Sequence, residues 1–352
     1  MPVRLSIIVP FHKDLGSLER CLEALTARPA DAEVIVAADG AIEDCHPAAL
    51  RHDAKVIEVP GPAGPAVARN AAARAAAGDV LVFVDADVVI SPGALDRIVD
   101  TFDRQPSTSA VFGAYDDHPW DPGFFSQYKN LAHAFVHRTS ATSTRTFWAG
   151  FGAVRRASLL AVGGFDERFG RPSVEDIDFG YRLTAAGHRV VLDPALSASH
   201  LKRWTFASMV VSDVRDRGIP WTQLLHRYGG MHDDLNLRHG YRLAVGLAYA
   251  AVAALALAFV DIRFAWIAAI LFAGQAALGR QYYSFFSRKR GVLFAIRVFP
   301  VHVLHHLFNG LSFAVGTALY LANRLCDGRL LVALPLDPWP PPVDKAGSVA
   351  GV

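Results

Sequence analysis

Two aspartates stand one residue apart at the end of an apolar run. Asp85 and Asp87 follow residues 80–84, all five of which are apolar and typical of a buried strand. Two carboxylates this close repel each other unless a cation lies between them, and their oxygen atoms suit a divalent cation that also binds a phosphate. The pair therefore predicts a cation site, with a solvated turn as the alternative interpretation.

The runs around this pair alternate between strand and helix patterns. Helices are predicted at residues 66–77, where Gly78 would cap the end, and near residues 176–186, which close at Gly187. The alternation is typical of an α/β fold with a mostly parallel sheet, which binds ligands at the carboxyl ends of its strands. Strands are predicted at residues 5–9, 33–38, 55–59, 80–84, 109–112 and 189–192.

Composition divides the chain into two unlike parts. Its 352 residues suggest about two domains at roughly 150 residues each, and 52% apolar against 19% charged residues excludes a disordered chain. Residues 241–352 hold ten Lys and Arg against four Asp and no Glu, whereas the remainder is slightly acidic. This distribution disfavours nucleic-acid binding and favours a soluble head on a membrane anchor. Three widely separated cysteines exclude a disulfide framework.

Three uncharged segments predict the anchor. Residues 243–260 and 264–279 predict a membrane hairpin, and residues 298–323 are long enough for a third span, which would place the C-terminus on the far side. The stretch 206–214 predicts an amphipathic helix, either on the core of the head or on the membrane surface. The positive-inside rule places the head in the cytoplasm, because the second segment is followed by the basic cluster Arg280, Arg288, Lys289 and Arg290.

Five motifs carry a resemblance to a known family. The segments SIIVPFHKD, VAADG, AVARNAAARAAAGDVLVFVDADV, GGFDERF and VEDIDFGYRL occur in this order. Together they resemble the family 2 inverting glycosyltransferases of the GT-A fold, over roughly residues 3–205. The implied organisation is a GT-A domain at 1–204, an amphipathic connection at 205–240, two to three transmembrane helices at 241–324 and a Pro-rich tail at 325–352.

The resemblance implies a donor site and a metal site. A nucleotide-sugar donor would contact Pro10, Phe11, His12, Asp39, Arg69 and Asp85, and a divalent cation, Mn²⁺ or Mg²⁺, would be held by Asp85, Asp87 and His200. A structural histidine is the alternative for His200, and a solvated helix arginine for Arg69. The family more often has two acidic residues at the second strand, whereas here Ala38 precedes a single Asp39. The choice of nucleotide base therefore stays open.

The resemblance also implies catalytic and acceptor residues. Asp176, preceded by Glu175, matches the aspartate that takes the proton of the acceptor hydroxyl, with helix capping as the alternative for Glu175. The acceptor and diphosphate side would include Trp148, Gly150, Lys202, Arg203 and Trp204, and a packing turn is the alternative for the glycine-rich segment. The Q-x-x-R-W pattern of processive synthases is absent.

These features predict a membrane-bound enzyme. It would transfer a sugar with inversion from a nucleotide-sugar donor to a lipid-linked or membrane-proximal acceptor in glycolipid or cell-envelope polysaccharide synthesis. The expected location is a bacterial-type inner (plasma) membrane, which the chain crosses several times, with the catalytic domain in the cytoplasm. The sequence leaves open whether the protein forms a homo-oligomer. The alternatives are a processive polysaccharide synthase and an inactive membrane scaffold that retains the fold. A nicotinamide oxidoreductase is disfavoured because the first strand is not followed by G-x-G-x-x-G.

Overall fold

The computed structural model describes residues 3–40, 44–231, 237–330, 334–337 and 339. It divides into two compact units. The sheet unit comprises residues 1–203 and 335–352, and the helical unit comprises residues 204–334. Most of the predicted tail at 325–352 lies outside the described residues.

The sheet unit is built on one mixed sheet, with nine strands among the described residues. The strands are β1 Leu5–Phe11, β2 Glu33–Asp39, β3 Ala54–Val59, β4 Val80–Val84, β5 Val88–Ile90, β6 Thr108–Tyr115, β7 Ser143–Thr144, β8 Phe151–Arg155 and β9 Arg189–His200. In spatial order the main path is β3-β2-β1-β4-β8-β6-β9-β5, and β7 pairs with β9. The first four strands in this order are parallel, and β8 then runs antiparallel to both of its neighbours.

Seven helices of the sheet unit are described. They are α1 Leu15–Ala24, α2 His46–Arg51, α3 Pro65–Ala75, α4 Ala94–Arg104, α5 Phe124–Thr139, α6 Arg156–Ala161 and α7 Glu175–Ala185. The predicted α/β class is confirmed, and all six predicted strands are present. The apolar runs of β1, β2, β4 and β6 are largely buried, whereas β3 lies at the edge of the sheet and is only partly buried.

One predicted helix cap is wrong. The helix α3 ends at Ala75, and Ala76 already has an extended backbone. Gly78 instead lies against β1, where its N–H donates to Ser6 Oγ at 2.8 Å. A Cβ added at Gly78 would lie 2.6 Å from the Ser6 nitrogen. The sequence therefore has glycine here because two backbones approach closely, not because a helix ends.

The strand β9 is much longer than the predicted residues 189–192. It pairs in parallel with β6 from Arg189 to Leu192, leaves register, and resumes pairing from Ser197. Pro194 lies in this irregular segment, as expected for a proline inside a sheet, where it is confined to edges and bulges. The continuation of β9 brings His200 into antiparallel pairing with Val88 of β5.

The helical unit contains a connection followed by four longer helices. Thr205 caps α8 (Phe206–Val211) through a capping box with Ser208, and a π-helical segment, Ser212–Gly218, continues it. The predicted amphipathic stretch therefore is helical and belongs to the helical unit. The remaining helices are α9 Ile219–Arg227, α10 His239–Leu257, α11 Arg263–Leu278, α12 Arg280–Arg290 and α13 Val292–Leu325.

Two of these helices are long and apolar enough to cross a membrane. They are α10 with 19 residues and α13 with 34, whereas α11, with 16 residues, is shorter than a typical span. Large apolar side chains on α11 face outward, since Trp266 is 74% and Ile270 is 70% exposed. Apolar surface of this extent is typical of a region that contacts lipid or protein.

The described part of the tail returns to the sheet unit. Trp339 Nε1 donates to the Gly163 carbonyl at 3.0 Å, and Arg168 donates to the Asp337 carbonyl at 3.0 Å. The described residues 335–337 and 339 therefore belong to the sheet unit. The number of spans and the side of the C-terminus stay predictions.

Candidate active site

The aspartate pair lies where β4 ends. All five residues of β4 are buried, and Asp85 and Asp87 follow it as half-buried residues. The Asp85 N–H donates to the Gly150 carbonyl at 3.1 Å, which joins the end of β4 to the segment before β8. The next strand, β5, begins at Val88, so both carboxylates lie in a short connection held by β4 on one side and β5 on the other.

The pairing of β5 with β9 brings His200 to Asp87. The Leu201 N–H donates to the Asp87 carbonyl at 2.8 Å, and His200 Nε2 lies 3.3 Å from Asp87 Oδ2. The imidazole is stacked on Tyr115, with ring centroids 4.7 Å apart and planes 13° from parallel. On its other edge, His200 Nδ1 lies 3.0 Å from Asn130 Oδ1. The ring is therefore fixed on three sides.

Arg69 joins the two acidic segments. One guanidinium nitrogen donates to Asp85 Oδ1 at 2.7 Å and the other to Glu175 Oε1 at 2.9 Å. The side chain is 5% exposed and lies over the Phe165 ring, 5.5 Å from its centroid. Burial lowers the pKa of Arg69, but the Asp85 and Glu175 carboxylates outweigh it and raise the pKa overall. The guanidinium is therefore a permanent positive charge at the base of the site.

The two aspartates have pKa values shifted in opposite directions. Burial raises the pKa of Asp85, and the nearby charge of Asp87 adds to this rise against the opposing effect of Arg69. For Asp87 burial also raises the pKa, but the contact with His200 and the charge of Lys202 outweigh it and lower the pKa overall. The sheet edge therefore carries closely spaced negative charge that a further cation would stabilise.

The residues present fit a divalent cation that is held partly by a ligand. Among the described parts of the chain, no group of three His, Cys, Asp or Glu side chains is close enough to hold a metal by itself. Asp87 and His200 do lie together, whereas Asp85 is turned to Arg69. One or two protein ligands combined with phosphate oxygens is a common way to hold such ions, and the oxygen and imidazole donors suit Mn²⁺.

A third carboxylate lies at the start of α7. Asp176 is half-buried, and its Oδ2 accepts from the Ala149 N–H at 3.3 Å. Glu175 is buried and accepts from Arg69 and from the Ser173 N–H, so it positions other groups and does not face an open site. Asp178 is buried and accepts from Arg182 at 2.8 Å, so its carboxylate is held in an ion pair within α7.

The expected donor residues surround the ends of β1 and β2. His12 Nδ1 lies 2.8 Å from the Asp39 carbonyl oxygen. The two carboxylate oxygens of Asp39 accept from the N–H groups of Ala63 and Gly64, at 2.7 and 2.9 Å. Pro10 is half-buried, but Phe11 is only 1% exposed, so its side chain belongs to the core rather than to an open donor site.

The expected acceptor residues separate into buried and exposed groups. Trp148 is buried and packs edge-to-face with Tyr115, with ring centroids 4.7 Å apart, and a Cβ on Gly150 would lie 2.6 Å from the indole nitrogen. Lys202 and Arg203 are exposed, and Arg203 lies 3.9 Å from Asp121. Trp204 is only 8% exposed, so its indole is packed within the protein and not open as an acceptor surface would require.

Sequence reasoning missed Asn130 and Tyr115. Both are buried, and both contact His200. The available signal was weak, because Asn130 lies in a stretch of α5 that also contains Ser126, Gln127 and Lys129, and one further polar residue there is not distinctive. The contact of Tyr115 with His200 depends on the pairing of β6 with β9, and that of Asn130 on the packing of α5 against β9, neither of which the sequence pattern specifies.

The chain is similar in sequence to a glycosyltransferase family model and to curated proteins of bacteria. Residues 6–163 match the family model described as glycosyl transferase family 2. A pre-mycofactocin glycosyltransferase of Mycobacterium tuberculosis is 27% identical over 243 residues, covering 66% of this chain and 48% of that protein. The succinoglycan biosynthesis protein ExoA of Rhizobium meliloti is 27% identical over 217 residues, covering 56% and 63%. The chain therefore spans about half to two thirds of the length of these curated relatives.

A solved structure is similar over most of the chain. It is a mannosyltransferase from Pyrobaculum calidifontis in complex with GDP-Man and Mn²⁺, with a TM-score of 0.60 and 21% sequence identity. The similarity covers 86% of this chain and 88% of that structure. At this identity the likeness concerns the fold.

Proposed function

We propose that the chain is a family 2 glycosyltransferase of the GT-A fold and that it transfers one sugar, with inversion, from a nucleotide-sugar donor to an acceptor at a membrane. The match of residues 6–163 to the model of that family and the fold shared with a mannosyltransferase support this proposal. The observation that carries the proposal is a pair of links between the predicted donor side and the predicted base. Arg69 connects Asp85 to Glu175, and the Ala149–Gly150 segment connects Asp85 to Asp176.

These links hold the carboxylates of two distant chain segments at one edge of the sheet. Inversion requires the acceptor oxygen to approach the anomeric carbon opposite the departing diphosphate, with a base beside it. Asp176 is the half-buried carboxylate of the α7 start, while Glu175 and Asp178 are buried in ion pairs. Asp176 therefore accepts the hydroxyl proton as the acceptor oxygen forms the new glycosidic bond and the nucleoside diphosphate departs.

The surrounding groups stabilise this arrangement. The N–H groups of Ala149 and Ile177 donate to Asp176, and the α7 N-terminus favours negative charge there. A divalent cation bound near Asp87 and His200 would neutralise charge on the departing diphosphate. Arg69 keeps Asp85 and Glu175 in place, and Asp39 fixes the Ala63–Gly64 loop at the predicted nucleotide side.

The proposed acceptor is lipid-linked or membrane-proximal. Lys202 and Arg203 end the sheet unit with exposed cationic side chains, and the helices long enough to cross a membrane follow in the chain. A guanidinium binds phosphate through two hydrogen bonds, so Arg203 suits a phosphorylated lipid acceptor. The proposed location is a bacterial-type plasma membrane, with the sheet unit in the cytoplasm, because the basic α12 lies between apolar segments.

The test is transfer from nucleotide sugars by purified Asp176→Asn protein. Full-length protein with Mn²⁺ is screened first against UDP-, GDP- and dTDP-sugars by thermal shift, because the bound donor stabilises the folded state. With that donor, Asp176→Asn should lower kcat for transfer about 10²- to 10⁴-fold with little change in the donor Kd. Asp96→Asn is the matched control, since Asp96 lies in the first turn of α4 and is exposed. Unchanged transfer by Asp176→Asn would exclude Asp176 as the base.

A further inference from the structure

Asn130 is a buried polar side chain that the resemblance assigns to no role. It lies in α5 and is 2% exposed, with its Oδ1 3.0 Å from His200 Nδ1. Within the described residues its Nδ2 has no hydrogen-bond partner. A buried amide nitrogen without a hydrogen-bond partner costs free energy. The presence of an asparagine at this position, with its oxygen on His200, therefore needs an explanation.

The contact determines which imidazole nitrogen carries the proton. An amide oxygen accepts hydrogen bonds and does not donate them, so Oδ1 facing Nδ1 requires a proton on Nδ1. In the neutral ring Nε2 then presents a lone pair, and Nε2 is the nitrogen that lies 3.3 Å from Asp87 Oδ2. A lone pair facing a carboxylate is favourable only if a cation or a proton lies near both.

Tyr115 fixes the remaining freedom of the ring. Its ring stacks on His200 at 4.7 Å and 13°, so the imidazole plane is set by Tyr115 and the position of Nδ1 within it by Asn130. Histidines that bind metals usually donate their second N–H to an oxygen acceptor, which holds the ring and its tautomer. The side chains around His200 provide this arrangement.

We propose that Asn130 is a positioning residue for a divalent cation: its amide oxygen holds His200 with the proton on Nδ1, so that Nε2 binds the cation together with Asp87. The inference rests on the proposed metal-assisted transfer and adds the residue that selects the binding form of the histidine. It makes a prediction that depends on the acceptor character of residue 130 and not on its bulk.

Substitutions at position 130 separate the effect of the hydrogen-bond acceptor from the effect of side-chain volume. Asn130→Leu keeps a similar volume but removes the acceptor, and Asn130→Ala removes the acceptor without adding bulk. Both should weaken Mn²⁺ binding about 10- to 100-fold, the usual effect of losing such a partner. Asn130→Asp retains an oxygen acceptor and should bind Mn²⁺ within about threefold of the original chain. If the amide were reversed, with Nδ2 donating to the ring, Asn130→Asp would lose affinity as well.

The experiment uses the purified full chain in detergent with Mn²⁺ alone and with Mn²⁺ plus GDP or UDP. Electron paramagnetic resonance measures free Mn²⁺ and hence the Kd, and electron spin echo modulation detects coupling to a ligating ¹⁴N. The expected result is ¹⁴N coupling in the original chain and in Asn130→Asp, with weaker binding in the leucine and alanine variants. Asn323→Leu is the control, because Asn323 is a buried asparagine of the helical unit.

Several outcomes would overturn the inference. One is a folded Asn130→Leu or Asn130→Ala variant that binds Mn²⁺ as tightly as the original chain. Another is an Asn130→Asp variant that loses as much Mn²⁺ affinity as those two variants. The control losing Mn²⁺ affinity to the same extent would show a general effect of removing a buried amide and would also overturn it. Bound Mn²⁺ without ¹⁴N coupling would remove the role of His200 but leave sugar transfer intact. Coupling in a chain that transfers no sugar would instead refute the proposed function.

Discussion

At the scale of single residues, the decisive side chain is Arg69. The resemblance places it at the nucleotide, whereas the structure shows both ends of its guanidinium held by carboxylates, Asp85 and Glu175. A buried arginine between two acids is a brace for them, because each acid would otherwise be an unpaired charge in a buried setting. In the proposed transfer, Arg69 therefore acts on the donor through the placement of Asp85 and of the α7 start.

Removing this brace should destabilise the fold. Arg69→Met leaves Glu175 buried without its cation, and breaking such a buried pair costs about 3–5 kcal/mol of unfolding free energy. Arg74→Met, on the same helix, should cost less than about 1 kcal/mol because the Arg74 side chain is 63% exposed. Denaturant unfolding of the two variants measures the contrast, and equal stabilities would refute the bracing role.

Arg203 should act on the acceptor and not on the fold. Its side chain is 82% exposed, and its contact with Asp121 is long, at 3.9 Å. Arg203→Ala should therefore leave the melting temperature almost unchanged. Loss of a charged hydrogen bond to an acceptor phosphate should slow transfer about 10- to 100-fold, while donor affinity is retained. Asp39→Asn should show the reverse pattern. Equal loss of donor hydrolysis and transfer in Arg203→Ala would argue against a membrane-side acceptor.

At the scale of elements, strand ends and their connections position the chemistry. The continuation of β9 past its irregular segment places His200 beside β5, and the β4–β5 connection holds Asp87 at the same point. Gly113 of β6 allows β9 to approach closely at its irregular segment, since a Cβ at Gly113 would lie 2.2 Å from the Leu196 carbonyl oxygen. The proposed metal side of the site, at Asp87 and His200, therefore depends on the pairing of β5 with β9.

The opposite end of the sheet contains a pH-dependent connection. Glu33, at the start of β2, accepts from Ser6 at 2.6 Å, from the Ala77 N–H at 2.7 Å and from Lys55 at 2.9 Å. Burial acts to raise the pKa of Glu33, but these three donors lower it from 4.5 to about 2. The ionised form therefore links three strands and the end of α3.

Glu33→Gln should lower stability at neutral pH by about 1–3 kcal/mol, the range for hydrogen bonds to a charged group. Because the folded pKa is depressed, this stabilisation is present above pH 4.5 and is lost as the pH falls towards 2. The difference between variant and original chain should therefore shrink over that interval in unfolding experiments. Glu58→Gln is the control, as the Glu58 side chain is 78% exposed. A difference independent of pH would contradict the assignment.

At the scale of the whole molecule, the two units differ in surface. The sheet unit buries its apolar strands, while α10, α11 and α13 of the helical unit leave large apolar side chains exposed. At 1.5 Å per residue, the 19 residues of α10 span about 28 Å, close to the hydrocarbon thickness of a bilayer. The short turn around Ile262, between two apolar helices, is then expected on the far face of the membrane.

Cysteine labelling in intact cells tests this topology. Cys21 and Cys45 are buried and Cys326 is exposed, so the chain supplies its own reporter near the end of α13. Cys326 precedes Trp339, which packs on the sheet unit, so an impermeant maleimide should label Cys326 only after permeabilisation. In a Cys326→Ser background, Ile262→Cys should be labelled in intact cells. Labelling of Cys326 in intact cells would contradict a cytoplasmic location for the end of α13.

The sequence by itself determined the class of fold and identified most residues of the candidate site. Apolar runs such as Val80–Val84 predict strands because burial between helix layers requires a continuous apolar segment, and the ends of these strands carry Asp39, Asp85 and Asp87. The ordered motifs then indicated the glycosyltransferase family, which the family model supports over residues 6–163.

Only the tertiary structure decided which of these groups act on each other. The contacts of Arg69 with Glu175 and of His200 with Asn130 join residues 106 and 70 positions apart, and no local pattern specifies such distances. Burial likewise separated Phe11 and Trp204 from the exposed Arg203. The physical reason is that propensity and periodicity act over a few residues, whereas strand pairing and packing set which side chains meet, and which remain open to a ligand.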